Sequence, residues 1–166
     1  MFRIVLDTIF HSSKSLELTF VFKIKPMFQR NYTVKGEDVN DFMVMQNAAY
    51  LNYSSKILET FLYVKGFTKL KMNTLQVGLQ KNNDQIQQYK PLLFTQPFSV
   101  DLSFESIAFS NHKMKVSIHF YNAKKELCTT IIRELFWFDY SSWEAVSPPK
   151  TISKYFAVEK EYRKVG

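Results

Sequence analysis

One segment constrains this chain more than any other: Asn47 to Lys65 reads as a single strong helix in a sequence otherwise patterned for strands. Tyr50, Tyr53, Ile57, Phe61 and Val64 recur at spacings of three and four, and Leu51, Leu58 and Leu62 widen the apolar stripe. Asn47 is of the type that caps a helix start, and Gly66 falls where a helix ends in a left-handed residue. A stripe this broad must be buried on more than one side. A flat sheet would leave half of it wet, so the helix needs a curved sheet wrapped around it.

The rest of the chain supplies such a sheet. LELTFVFKIK from Leu16, with Phe20, Phe22 and Ile24 in alternation, is followed by Pro26 and FQRNYTVKG. After Gly66, strand patterns resume around Leu75 to Gln88 and lead into YKPLLF, where Pro91 is expected at a strand start or a bulge. Phe98, Val100, Leu102, Phe104, Ser106 and Ala108 then alternate with Ser99, Asp101 and Ser103, which predicts one buried face and one wet face. Turns are expected at residues 110–113 and 122–125, on either side of KVSIHFY, and LCTTIIRELFWFDY forms the last long strand. Aromatic residues reach 16%, which favours pleated, half-buried surfaces. The expected architecture is α+β: strand, long helix, then four strands joined by hairpins, in a curved antiparallel sheet of about five to six strands. One domain over 18–155 fits the length of 166 residues, with an extension at 1–17, as a short helix or an added edge strand, and a charged tail at 156–166 after Pro148 and Pro149.

Several functions are disfavoured at this level. With only 4 glycines there is no GxGxxG and no Walker-type GK[ST], so nucleotide binding by those routes is excluded. The net charge of +7 is scattered rather than striped, which fits a solvated basic surface or the steering of a phosphate-bearing small molecule. No nucleic-acid motif accompanies it. His11, His112 and His119 have no acid or cysteine at ligand spacing, so no metal and no cofactor are expected. Ser54 and Ser55 lack a histidine in any triad motif and are expected on the less apolar side of the helix with Asn52. The lone Cys128 lies in an apolar run, where it reads as a small buried hydrophobe and fits a reducing compartment. Asp7, His11 and Lys14 interrupt any apolar leader, and no run is long enough to span a bilayer, so the expectation is a cytoplasmic, soluble protein.

Residues Gly36 to Gly66 carry a more specific signal. The stretch reads EDVNDFMVMQNAAYLNYSSKILETFLYVKGF, and it resembles the motif of hotdog-fold acyl-CoA thioesterases of the 4-hydroxybenzoyl-CoA thioesterase type. That motif is an Asp-x-Asp-x-x-Gly stretch, then Asn-Ala-x-Tyr-Leu opening the central helix, then a Gly at its end. Counting back from Tyr50 puts Asp38 on the first acidic position and Asn40 on the second, while Asn47, Ala48, Tyr50, Leu51, Tyr53 and Gly66 keep the helix signature. YKPLLF and RELFWFDY with Pro148 and Pro149 resemble the family's strand entry and closing strand. The resemblance implies a hotdog fold, hydrolysis of an acyl-CoA thioester, and a homodimer or tetramer with its site between subunits.

The departures fall on the chemistry. The family's catalytic carboxylate position is Asn40, its Gly is Met43, its neighbouring His is Val44, and a Glu five residues after the Tyr is Ser55. Asparagine donates and accepts hydrogen bonds but cannot take a proton at neutral pH. Asp41, Asp38 acting through a water, or Glu59 from the helix are the alternative carboxylates, with Asn40 as a polar orienter. The acyl group is expected along Tyr50, Tyr53 and Phe61, with Tyr89, Pro91 and Phe94 at the mouth and backbone N–H groups near Asn47 and Ala48 as oxyanion donors. Arg133 is a candidate for coenzyme phosphates. The alternative is a non-catalytic hotdog module that binds acyl-CoA or acyl-carrier protein.

Overall fold

A computed structural model describes residues 26–108 and 112–156. The strand expected over Leu16–Lys25, the helix or edge strand before it, and the tail beyond 156 lie outside the described residues. The elements are β1 (Phe28–Thr33), α1 (Asn47–Val64), α2 (Lys69–Thr74), β2 (Val77–Gln88), β3 (Pro97–Ala108), β4 (Lys113–Asn122), β5 (Leu127–Asp139), β6 (Glu144–Val146) and α3 (Lys150–Ser153). The strands form one antiparallel sheet in the order β1-β3-β4-β5-β2, with β6 folding back on the end of β5.

The expected curved sheet around one long helix is what forms. Tyr50, Ile57 and Phe61 on α1 pack against the inner face built by Phe98, Val100 and Leu102, Val116, Ile118 and Phe120, and Ile131, Leu135 and Trp137. The rings interlock, with Tyr50 edge-on to Phe120 at 5.1 Å, Tyr53 edge-on to Phe98 at 5.1 Å, and Phe28 against Phe61 at 5.9 Å. Each such side chain contributes roughly 1.5–3 kcal/mol by leaving water. The helix ends as its sequence requires. Gly66 is left-handed at φ 81°, its N–H reaches Tyr63 O at 2.9 Å, and Phe67 N–H reaches Leu62 O at 2.8 Å, which together close the last turn.

Five sequence expectations are corrected here. Gln46, not Asn47, is the N-cap, so Asn47 is the first helical residue and its Oδ1 accepts from Gln88 Nε2 on β2 at 2.9 Å. The connection from β2 to β3 is not a hairpin, because β2 pairs with β5 at one edge and β3 pairs with β1 at the other. Pro91 sits in that connection rather than at a strand start. Ser99 and Ser103 are buried rather than wet, and a bulge between Phe104 and Ser106 shifts the register with β4. Ser54 is fully buried and donates to Tyr50 O at 2.8 Å, as Ser and Thr within a helix can do for the carbonyl four residues back.

Candidate active site

The segment from Lys35 to Gln46 is a compact loop that hands the chain from β1 to α1. A 3-10 turn at Gly36–Asp38 opens it, and Val39 bridges to Met45. Asn40 N–H donates to Val44 O, and Met43 N–H donates back to Asn40 O, both at 2.9 Å, so Asn40-Asp41-Phe42-Met43 forms a tight tip. The loop is tied to the β2–β3 connection by Met45 N–H to Leu92 O and Phe94 N–H to Met43 O, each 2.9 Å. Gln46 N–H to Asp38 O, also 2.9 Å, brings the 3-10 turn against the start of α1.

The four candidate carboxylate or amide positions have different surroundings. Asn40 is exposed, and its Oδ1 accepts from Phe42 N–H at 3.0 Å and Val44 N–H at 3.1 Å, so its side chain organises its own turn. Asp41 is exposed at the tip. Glu59 lies in the fourth turn of α1, by a separate apolar hollow of about 550 Å³ that it lines with Leu62, Tyr63, Phe67 and Leu70. Asp38 is buried, and its Oδ2 accepts from Tyr53 Oη at 2.9 Å and from Lys35 N–H at 2.9 Å. Among the described residues its Oδ1 has no partner. Burial first, then the bond to Asp38 and the charges of Asp38 and Glu37, push the Tyr53 phenol well above its ordinary pKa. Tyr53 therefore stays protonated and stays a donor across the neutral and alkaline range.

Asp38 and Tyr53 line a cleft of about 380 Å³ with Lys35, Glu37, Gln46, Ala48, Ala49, Asn52 and Lys56. The cleft lies at the N-terminus of α1, and the N-cap Gln46 makes no side-chain bond to the helix; its amide donates instead to Val39 O at 2.6 Å. Among the described residues no acceptor meets the N–H groups of Asn47 and Ala48, so both are free to serve a bound oxygen.

Two of the three helix side chains expected along an acyl chain are core residues. Tyr50 is 1% exposed and Phe61 0%, so both belong to the core and neither offers a surface. Of the three helix aromatics, only Tyr53 reaches the cleft. Tyr89 and Pro91 are exposed in the β2–β3 connection and do not line it. Phe94 comes closer, with its Cε2 3.9 Å from where a Cβ on Gly36 would stand. Phe42, Met43, Tyr89, Leu93 and Phe94 together leave an exposed apolar rim on this side of the domain. Arg133 is also reassigned. It points into the core, where Asp84 binds it bidentately at 2.7 and 3.0 Å and Ser55 Oγ accepts from it at 3.0 Å. No coenzyme phosphate can reach a guanidinium held in this way. Ser55, where the family pattern has a glutamate, is thus part of a buried ionic contact completed by a carboxylate from β2. Cys128 is buried and its thiol pKa is raised by that burial, so the small-hydrophobe reading stands.

Met43 explains another departure. Its φ of 60° is left-handed, the conformation for which glycine is suited, and it occupies the family's Gly position. A non-glycine residue there costs roughly 1–2 kcal/mol, against about 0.5–1 kcal/mol for glycine's extra unfolded freedom. Met43→Gly is therefore expected to stabilise the protein by about 0.5–1 kcal/mol. A thermal or urea melt checks this, and a lower midpoint in the variant would show that the Met43 side chain holds the tip in place.

One helix wrapped by this sheet, with a cleft at the helix start, defines the hotdog class. The chain belongs to the thioesterase-like superfamily, whose family model matches residues 34–156. Solved structures agree on the fold. A Staphylococcus aureus protein in complex with CoA superposes with a TM-score of 0.72 at 16% identity, over 77% of this chain and 80% of that one. A gentisyl-coenzyme A thioesterase gives 0.68 at 16% identity, over 78% and 100%. A 1,4-dihydroxy-2-naphthoyl-CoA thioesterase from Synechocystis gives 0.70 at 12% identity, over 78% and 94%. No curated protein matches the sequence. Among the described residues no helix is long and apolar enough to cross a membrane.

Proposed function

We propose that this protein hydrolyses acyl-CoA thioesters in the cleft at the start of α1, with Asp38 as the base. The observation that carries this is a buried carboxylate, held by two donors on one oxygen, that lines a cleft at the start of a long helix. In the reaction, Asp38 Oδ1 takes a proton from water as the water oxygen bonds to the thioester carbon. The carbonyl oxygen becomes an oxyanion held by the N–H groups of Asn47 and Ala48. Collapse of that intermediate breaks the C–S bond, the coenzyme leaves as thiolate and takes up a proton, and the free acid remains. Membership of the thioesterase-like superfamily, and fold neighbours whose substrates are CoA thioesters, support the same substrate class.

A second subunit is part of this reading. The rim of Phe42, at 84% exposure, with Met43, Leu93 and Phe94 stands beside the cleft and supports a partner chain closing it. Light scattering would return a dimer or tetramer mass; a monomer would remove the partner from the site.

The test is release of free thiol by the purified protein from short, long and aromatic acyl-CoA esters. Turnover clearly above the buffer rate is expected. The engaged side chain of Asn40, which leaves no acid at the family's position, favours one rival, a binder of acyl-CoA without catalysis. Tight acyl-CoA binding with no thiol from any ester would establish that rival.

A further inference from the structure

The core leaves no room for a long acyl chain inside the domain. Tyr50, Ile57 and Phe61 fill the helix–sheet interface, and their rings and branches meet those of the sheet directly. At the start of α1, where Asp38 stands, the open space is the cleft of about 380 Å³, whose walls beyond Ala48, Ala49 and Tyr53 are polar; the apolar hollow lined by Leu62, Tyr63 and Phe67 lies at the other end of the helix.

The charges in that cleft are arranged along the helix. Lys35 Nζ is paired with Glu37 at 3.4 Å, and Asp38 is held by Tyr53 and a backbone N–H. Among the described residues Lys56 has no carboxylate partner. Its ammonium instead lies 5.5 Å from the centre of the Tyr32 ring and 6.0 Å from that of Tyr53, which keeps it over the cleft wall. Ala48, Asn52 and Lys56 stand four residues apart, one above another on the helix surface that floors the cleft. From Ala48 to Lys56 the helix rises about 12 Å. Helical side chains lean towards the N-terminus, so the ammonium, over the Tyr32 and Tyr53 rings, reaches back along the cleft towards the start of the helix.

The cleft is thus polarised, with the Asp38 carboxylate and the start of α1 at one end and Lys56, without a carboxylate partner among the described residues, at the other. Building on the thioesterase reading, we propose that the preferred acyl group is short and ends in an anion. Its chemical class is a dicarboxylic acid of roughly four to six carbons, joined to CoA through one carboxyl. Lys56 is the specificity-determining residue that meets the free carboxylate, and Asn52 lies between the two ends. A neutral alkyl chain of the same length would leave the ammonium unmet and place methylenes against Asn52 and Lys56.

The experiment compares thiol release from glutaryl-CoA, hexanoyl-CoA and palmitoyl-CoA by the wild-type protein, Lys56→Met and Lys56→Arg. Lys56 is exposed, and thermal melts of both variants establish that they fold. The expected kcat/KM for glutaryl-CoA exceeds that for hexanoyl-CoA by about tenfold or more, mostly through KM, and palmitoyl-CoA is the poorest of the three. Lys56→Met should bring the glutaryl to hexanoyl ratio within about twofold of one, while Lys56→Arg keeps the preference. A wild-type ratio near one, or a ratio that survives Lys56→Met, overturns this inference and leaves the hydrolase reading in place. No thiol from any of the three esters overturns both.

Discussion

Asp84→Ala is expected to destabilise the protein by about 3–5 kcal/mol, the cost of leaving a buried charge without its partner. Arg133 is 2% exposed on the inner face of β5, and Asp84 supplies both of its bidentate bonds. Its remaining contacts, Ser55 Oγ at 3.0 Å and Leu51 O at 3.4 Å, are neutral acceptors from α1 and cannot balance a guanidinium, which stays charged at any working pH. The reverse change should cost less. In Arg133→Met the remaining carboxylate keeps Lys81 at 3.3 Å and can take up a proton, and the methionine fills part of the apolar space. Urea unfolding of Asp84→Ala, Arg133→Met and the double variant measures all three, with the double variant recovering part of the loss. Equal costs for the two single changes would mean that packing rather than charge sets the effect.

The same pair gives stability a pH dependence of known sign. Burial alone would raise the Asp84 pKa, but its bonds to Arg133 and Lys81 prevail and hold it below the ordinary value of 3.8. A depressed folded pKa means stability that is present above the unfolded pKa and lost as pH falls through the folded one. Wild-type stability should therefore fall more steeply below about pH 4 than that of the double variant, which lacks this carboxylate.

The helix and the curved sheet were legible because a periodic apolar stripe is a local signal. Tyr50, Ile57, Leu58, Phe61 and Leu62 are all buried where their spacing put them. Arg133 was not legible, because β5 carries apolar residues in both phases: Ile131, Leu135 and Trp137 face inward, and Ile132, Phe136 and Phe138 take the other phase. Its partner Asp84 is 49 residues away, and no local pattern joins them. The helix α2 escaped notice because KLKMNT has no apolar period and none of its side chains is buried. At the site, the motif located the loop but not its chemistry. Tyr53 read as a position of the apolar stripe and as a wall for the acyl group, and nothing local joins its hydroxyl to Asp38, 15 residues back. The Gly-to-Met43 and Asp-to-Asn40 departures were visible as letters. Only the backbone shows that one marks a left-handed residue and the other an amide bound into its own turn.

Asp38→Asn is expected to lower kcat/KM by about 10²–10⁴-fold while the protein remains folded, the range lost when a positioned base is removed. Asparagine can still accept the bonds from Tyr53 Oη and Lys35 N–H through its carbonyl, so the loop geometry is retained and only proton uptake is lost. The loss should appear in kcat, because a base acts in the transition state and contributes little to ground-state binding. Tyr53→Phe separates position from chemistry. It removes one of the two donors on Oδ2 and frees the carboxylate to turn, so a smaller loss of about tenfold in kcat with little change in KM is expected. Asn40→Asp in the Asp38→Asn background asks where the reaction can run. The loop bonds from Phe42 and Val44 N–H groups suit a carboxylate as well as an amide, so the variant should fold. Because those bonds turn the side chain into the loop, no rescue is expected. Recovery of turnover in that variant would move the base from Asp38 to the family's position and make Asp38 an anchor for the loop. Failure to recover, with kcat still depressed, is the result that a base at the end of the Tyr53 bond requires.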